Sequence, residues 1–288
     1  MPVALRIAPR LSLPFIAASC ACSLACGSSH DAAPRLPLTE ALLAAAREAG
    51  ESDPTRDARA RHALDELARQ LRGWVAEHSG TNARAALVQF VFGAKRFSRE
   101  VDNTSLQFVL LPSVLEQRRG SCVGLGSLAL ALAERLGWQV RGVMVPGHFF
   151  LRFTERGQAH NLELLRRGEE MSDAWYALRF PIPGGQAREY TRPLTEAEVR
   201  GVVEYDIGNA RQRQGRLDEA RRAYERARQD FPDFAEAHAS AGALAQLLGA
   251  LDVARGDYAA AARANPNLPG VAHNLELLES EQRAHTAP

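Results

Sequence analysis

Hydrophobic positions recur at helical spacing soon after the N-terminal segment. Leu64, Leu67, Leu71 and Trp74 step by three and four residues, the period of an amphipathic helix. Ala86, Val88, Phe90 and Val91 predict a second apolar helix ahead of Phe92-Gly93, so residues 38 to about 97 are expected to be helical. The pattern then changes. Residues 125–136 are apolar nearly all round, which predicts a buried helix, and Gly137 follows where a left-handed cap suits glycine. Residues 139–145, 148–153 and 158–164 are short and β-prone, parted by Pro146-Gly147 and by Glu155-Arg156-Gly157 as turns. A helix followed by an antiparallel meander is an α+β arrangement. Asp173, Trp175 and Tyr176 fall in a short helix whose aromatics are expected to pack.

The C-terminal third repeats itself. Gly208, Gly215, Leu217, Asp218, Ala220, Tyr224, Ala227 and Pro232 return as Gly242, Gly249, Leu251, Asp252, Ala254, Tyr258, Ala261 and Pro266, each 34 residues later. This period resembles that of tetratricopeptide repeats, which implies helical hairpins in which small residues let paired helices approach and a proline closes the second helix. The tyrosines are expected to fill the gap between units, and residues 269–281 to form a final capping helix.

The first thirty residues look like an address. Residues 1–10 carry two arginines and no acid, and 11–25 are almost wholly apolar or small, as in a secretory signal. Cys20, Cys22 and Cys26 lie here without histidines or acids among them, which speaks against a metal site. Ser23-Leu24-Ala25-Cys26 followed by Gly27 resembles a bacterial lipoprotein cleavage site. Lipidation of Cys26, with a membrane tether, is one expectation; simple export is its alternative, and a cytoplasmic repeat protein would require that the segment be kept. Residues 27–37, small and polar with two prolines, are expected to be a tether. The whole chain has 35 basic and 34 acidic residues, a formal net charge of +1, which argues against broad capture of nucleic acid. Lys95 is the only lysine, so positive charge is almost all guanidinium.

Removal of the leader would leave Cys122 as the lone thiol. It stands at the start of the buried helix, where free backbone N–H groups favour a thiolate. A nucleophile needs a base, and His148 opens an apolar strand directly after the Pro-Gly turn. The base needs an orienting group, and the next strand carries Asn161 and Glu163 on one shared face, either of which could sit opposite His148. His160 should face the other way. The Cys122 backbone N–H is the natural oxyanion donor, with Gln117 a second candidate.

The segments Leu115-Glu116-Gln117-Arg118-Arg119-Gly120-Ser121-Cys122-Val123-Gly124, Leu132-Ala133-Glu134-Arg135-Leu136-Gly137 and Val145-Pro146-Gly147-His148-Phe149-Phe150-Leu151-Arg152 resemble the transglutaminase-like domain of the SirB1 type. The resemblance is tight over 106–167, with 38–105 as a helical lead-in. It implies a papain-like fold in which Cys122 is the nucleophile, His148 the base and Asn161 the orienting residue, where the family commonly has Asp. The 34-residue period is similar to tetratricopeptide (TPR) repeats, although Glu204, His238, Arg211 and Ala245 stand at the usual first-helix aromatic positions. The expected organisation is a signal over 1–26, a transglutaminase-like domain over 38–195 and a TPR solenoid over 196–288, with repeats 201–234 and 235–268 and a capping helix 269–283. The expected function is a thiol enzyme acting on an amide, by hydrolysis, deamidation or acyl transfer, without metal or organic cofactor, with the repeats binding a protein or peptide. The rival expectation is a catalytically silent scaffold whose repeats carry the function.

Overall fold

The computed structural model describes residues 38–101, 105–182 and 189–286. The expected signal, the tether and Cys26 lie outside these residues. The helical lead-in divides into α1 (Leu38–Glu48), α2 (Pro54–Glu77) and α3 (Ala83–Val88), the last continuing as a π-helical turn over Gln89–Ala94. The break before α2 has a local cause: Asp53 accepts the Arg56 N–H at 2.8 Å and Pro54 takes the first helical position, where its missing N–H costs nothing. A short strand β1 (Ser98–Arg99) pairs in parallel with β2 (Arg119–Gly120), and α4 (Leu111–Gln117) lies between them in sequence.

The centre of the fold is α5 (Cys122–Leu136), whose residues from Cys122 to Ala133 are all buried. It touches α1, α2 and α4 and also the sheet β3 (Val140–Val145), β4 (His148–Glu155), β5 (Gln158–Glu163) and β6 (Glu169–Met171), which is antiparallel in that order. The expected meander is present, with β6 added as a fourth strand. That strand is three residues long and carries two glutamates, so its sequence has no apolar alternation to announce it. The last residue of the third expected strand, Leu164, instead opens a 3-10 turn.

Two glycines allow α5 to be packed from both sides. A Cβ on Gly124 would overlap the Phe108 carbonyl oxygen, and one on Gly126 would overlap the Phe149 ring. Gly142 of β3 leaves room on the other side of that ring. Phe149 is thus seated between helix and sheet, with Leu151 and Phe153 on the same face of β4. The opposite face carries Val143, Val145 and Phe150 beneath Tyr176 of α6 (Asp173–Arg179). Both faces of the sheet are therefore covered.

The C-terminal part is helical: α7 (Glu196–Arg213), α8 (Leu217–Asp230), α9 (Ala235–Leu247), α10 (Leu251–Ala264) and α11 (Val271–Thr286). The 34-residue repetition of sequence is matched by repeated contacts. Gly208 lies against the Tyr224 ring and Gly242 against the Tyr258 ring, while the two hydroxyls reach Gln212 at 2.8 Å and Gln246 at 3.0 Å. Each tyrosine packs on the glycine of its facing helix and also meets the next unit, Tyr224 clustering with Ala241 and Leu244 of α9 and Tyr258 with Val271 and Leu278 of α11, so the rings reach into the gap between units. The apolar core also crosses the expected boundary at residue 195: Val199, Val202, Val203 and Ile207 of α7 share a cluster with α1 and α5.

Gly124→Ala should lower the free energy of urea unfolding by about 1–3 kcal/mol, because the added methyl meets fixed backbone. Gly73→Ala in α2, where nothing lies within 4 Å of the new Cβ, should raise it by about 0.5–1 kcal/mol.

Candidate active site

Cys122 occupies the first turn of α5. Ser121 caps that turn, its hydroxyl accepting the Gly124 N–H at 3.3 Å while its carbonyl accepts the Leu125 N–H at 2.9 Å. The helix leaves the N–H groups of Cys122 and Val123 without intrahelical partners, at the same end of α5 as the sulfur. The Ser121 N–H donates to the Phe108 carbonyl at 2.8 Å, which pins the approach to the helix. Cys122 is 7% exposed.

His148 enters from the sheet. Pro146 followed by Gly147 at φ +67° is the pairing a type II turn uses, and it closes β3 onto β4 with Val145 opposite His148. The imidazole Nε2 lies 2.6 Å from Glu163 Oε2. A carboxylate only accepts, so Nε2 carries the hydrogen, and Nδ1 is the nitrogen left for Cys122. Burial is the largest influence on the ring and opposes its charged form. Hydrogen bonding and charge from Cys122 and then Glu163 outweigh it, and His148 is raised from its ordinary 6.5 to about 9.

Further contacts hold these partners still. Glu163 Oε1 accepts the Leu165 N–H at 2.9 Å, and Oε2 also accepts the Tyr176 hydroxyl at 3.2 Å. Burial and the neighbouring Glu163 charge push Tyr176 far above the usual phenol range, so it remains a donor. Phe180 stacks on the imidazole with ring centroids 4.7 Å apart and planes 9° apart. Tyr176, expected only to pack, thus also touches the site.

Asn161, expected as the orienting residue, does not reach His148. Its Oδ1 accepts Arg152 Nε at 2.7 Å and its Nδ2 donates to Asp173 Oδ1 at 2.8 Å and to the Met171 carbonyl at 3.2 Å. Strand register is the reason. Glu155 pairs with Gln158 across the β4–β5 turn, so Asn161 falls opposite Arg152, four residues and about 13 Å along the strand from His148. Glu163 shares that face and lies two residues nearer, in diagonal reach of the ring. Closing the hairpin tightly on Arg156-Gly157 would have revealed this from sequence. Gln117 ends α4, is exposed and donates to Gln107 Oε1 at 3.3 Å. Arg118, at φ +54°, turns the chain after it. His160 faces away, as expected, and its Nδ1 lies 2.6 Å from Glu170.

The family model described as the transglutaminase-like superfamily matches residues 58–201, half of the chain. The protein belongs to the transglutaminase-like superfamily. The matched residues run from α2 into the start of α7 and contain the whole Cys122–His148–Glu163 constellation. The chain is also 35% identical over 91 residues to the Pseudomonas aeruginosa protein designated UPF0162 protein PA3419, covering 31% of this chain and 33% of the other. It spans about a third of the length of that curated relative.

In this transglutaminase-like domain two cavities meet at His148. One, of about 500 Å³, lies on the Glu163 side between Arg99, Arg166, Trp175 and Phe180. The other, of about 80 Å³, opens on Cys122 itself. No group of three or more His, Cys, Asp or Glu among the described residues is placed to hold a metal ion.

Glu163→Gln should drop the His148 pKa clearly below the wild-type value of about 9, whereas Asn161→Leu should leave it near about 9. Proton-detected titration of the imidazole checks both. The folded ring binds its proton more tightly than the unfolded one, so this stabilisation is complete below pH 6.5 and fades as pH rises through about 9. Thermal melts across that window should fall more in the wild type than in Glu163→Gln.

Proposed function

We propose that the protein is a transglutaminase-like thiol enzyme acting on an amide. The observation that carries this is one buried imidazole shared between Cys122 and Glu163 at the N-terminus of α5. In the proposed reaction Cys122 attacks the amide carbonyl and the first-turn N–H groups receive the developing oxyanion. His148 gives its proton to the departing amine, leaving an acyl-thioester. Water or an amine then attacks, His148 takes its proton, and the sulfur leaves as the thiolate, which restores the starting pair. Hydrolysis, deamidation and acyl transfer share this course and differ in the second nucleophile and the amine released. Glu163 acts as the orienting group, and its carboxylate stabilises the imidazolium as an amide would not. The repeated helical hairpins support a TPR-like, SirB1-type arrangement whose helices engage a protein or peptide.

The rival is a silent scaffold, favoured by how deeply Cys122 is buried, at 7% exposed. Iodoacetamide separates the two. At pH 7 Cys122 should be alkylated at least about tenfold faster than free cysteine, and His148→Ala should remove the excess. Equal, slow labelling of both proteins would establish the scaffold.

We further propose export with lipidation at Cys26, supported by the basic and apolar leader. Among the described residues no helix is long and apolar enough to cross a membrane. Mass spectrometry of the mature protein should find it beginning at a lipid-modified Cys26. An intact Met1 or Pro2 would exclude that.

A further inference from the structure

The cavity on the Cys122 side is walled by residues that the thiol chemistry leaves unused. Asp206 of α7, together with Tyr205, Phe234 and Glu236, lines the same 80 Å³ as Cys122 and His148. Asp206 is 5% exposed, yet its Oδ2 has no hydrogen-bond partner, and no ion pair joins it among the described residues. Glu236, in the first turn of α9, accepts the Tyr190 hydroxyl on Oε1, while its Oε2 is buried without a partner. Two carboxylates removed from water without an ion-paired partner, Arg213 acting on Asp206 only from a distance, are costly, and apolar side chains of similar size would fill the wall more cheaply. The one basic group on the lining is His148, which is committed to Glu163 and Cys122. Beside the acids, the Tyr205 and Phe234 rings sit 4.9 Å apart and tilted by 58°. Carboxylates next to aromatic faces are the surroundings that attract an alkylammonium ion. The volume equals roughly two or three waters, enough for such a head group and a short stem.

We propose that this cavity recognises a primary alkylammonium group on the molecule presented to Cys122, with Asp206 and Glu236 as the carboxylates that set the preference. The C-terminal helices α7 and α9 then complete the specificity of the site. This rests on the thiol reading above. The larger cleft across His148 is lined by Arg99, Arg166 and Arg179, so the preference belongs to the thiol side alone.

The test compares three methanethiosulfonate reagents on the full chain: aminoethyl (cationic), methyl (neutral) and sulfonatoethyl (anionic), each normalised to free cysteine. It is run at pH 8, because burial pushes the Asp206 carboxyl up to about 7. The cationic reagent should exceed the neutral one by about tenfold or more, and the anionic one should fall below it by a similar factor. Asp206→Asn and Glu236→Gln should each bring the cationic-to-neutral ratio toward one. Ratios near one in the wild type would overturn the proposal without reference to any variant. A second measurement does not use the thiol: propylammonium should shift the Tyr205 and Phe234 ring resonances, and propanol should not. Fast labelling without charge preference and with unmoved rings would sink the ammonium site and leave the thiol reading intact. Labelling no faster than free cysteine, with rings that respond to propylammonium, would do the reverse.

Discussion

His148 Nε2 and Glu163 Oε2 meet at 2.6 Å where both side chains are almost sealed from solvent. Charge in such a place is expensive unless it is met, and here the carboxylate receives three donors while the ring holds Glu163 on Nε2 and interacts with Cys122. Burial alone would strip the ring of its proton, and the two partners keep it there. The same low-dielectric setting that makes the contact costly makes it directional, because the ring has no competing water to turn toward.

The surrounding fold is shaped by that contact. The imidazole reaches Cys122 only because α5 lies close against the sheet, and the closeness depends on missing side chains at Gly126 and Gly142. Phe149, next in sequence to His148, fills the space these glycines open, so the strand is anchored one residue from the ring. On the far face α6 contributes Tyr176 and, just beyond its end, Phe180, which hold the carboxylate and the imidazole plane. Asn161 still serves the site indirectly: with Arg152 it ties Asp173, the first residue of α6, to the sheet.

The C-terminal helices are not an appendage. Their first member α7 enters the central core through Val199, Val202 and Val203, and its Tyr205 and Asp206 look onto the Cys122 cavity. A hairpin of the kind that repeats here, glycine against tyrosine, cannot bury its own apolar face alone. Resting α7 on α1 and α5 supplies the missing neighbour.

Much of this molecule was legible along the chain. The buried helix, the meander, its Pro-Gly turn and the 34-residue repeat all rest on local properties: period, turn chemistry and recurrence. The candidate thiol and imidazole could be picked out because a helix start and a strand start are themselves local features. Alternation alone does not separate Asn161 from Glu163, which share one face; the tight turn at Arg156-Gly157 that pairs Glu155 with Gln158 decides which lies near the ring. Nor could local spacing foresee Tyr176, Asp206 or Glu236, each delivered by an element packed from elsewhere in the chain. Sequence period determines which way a side chain points; what it meets there is set by how separate elements are laid against one another, and that distance and register exist only in the folded protein.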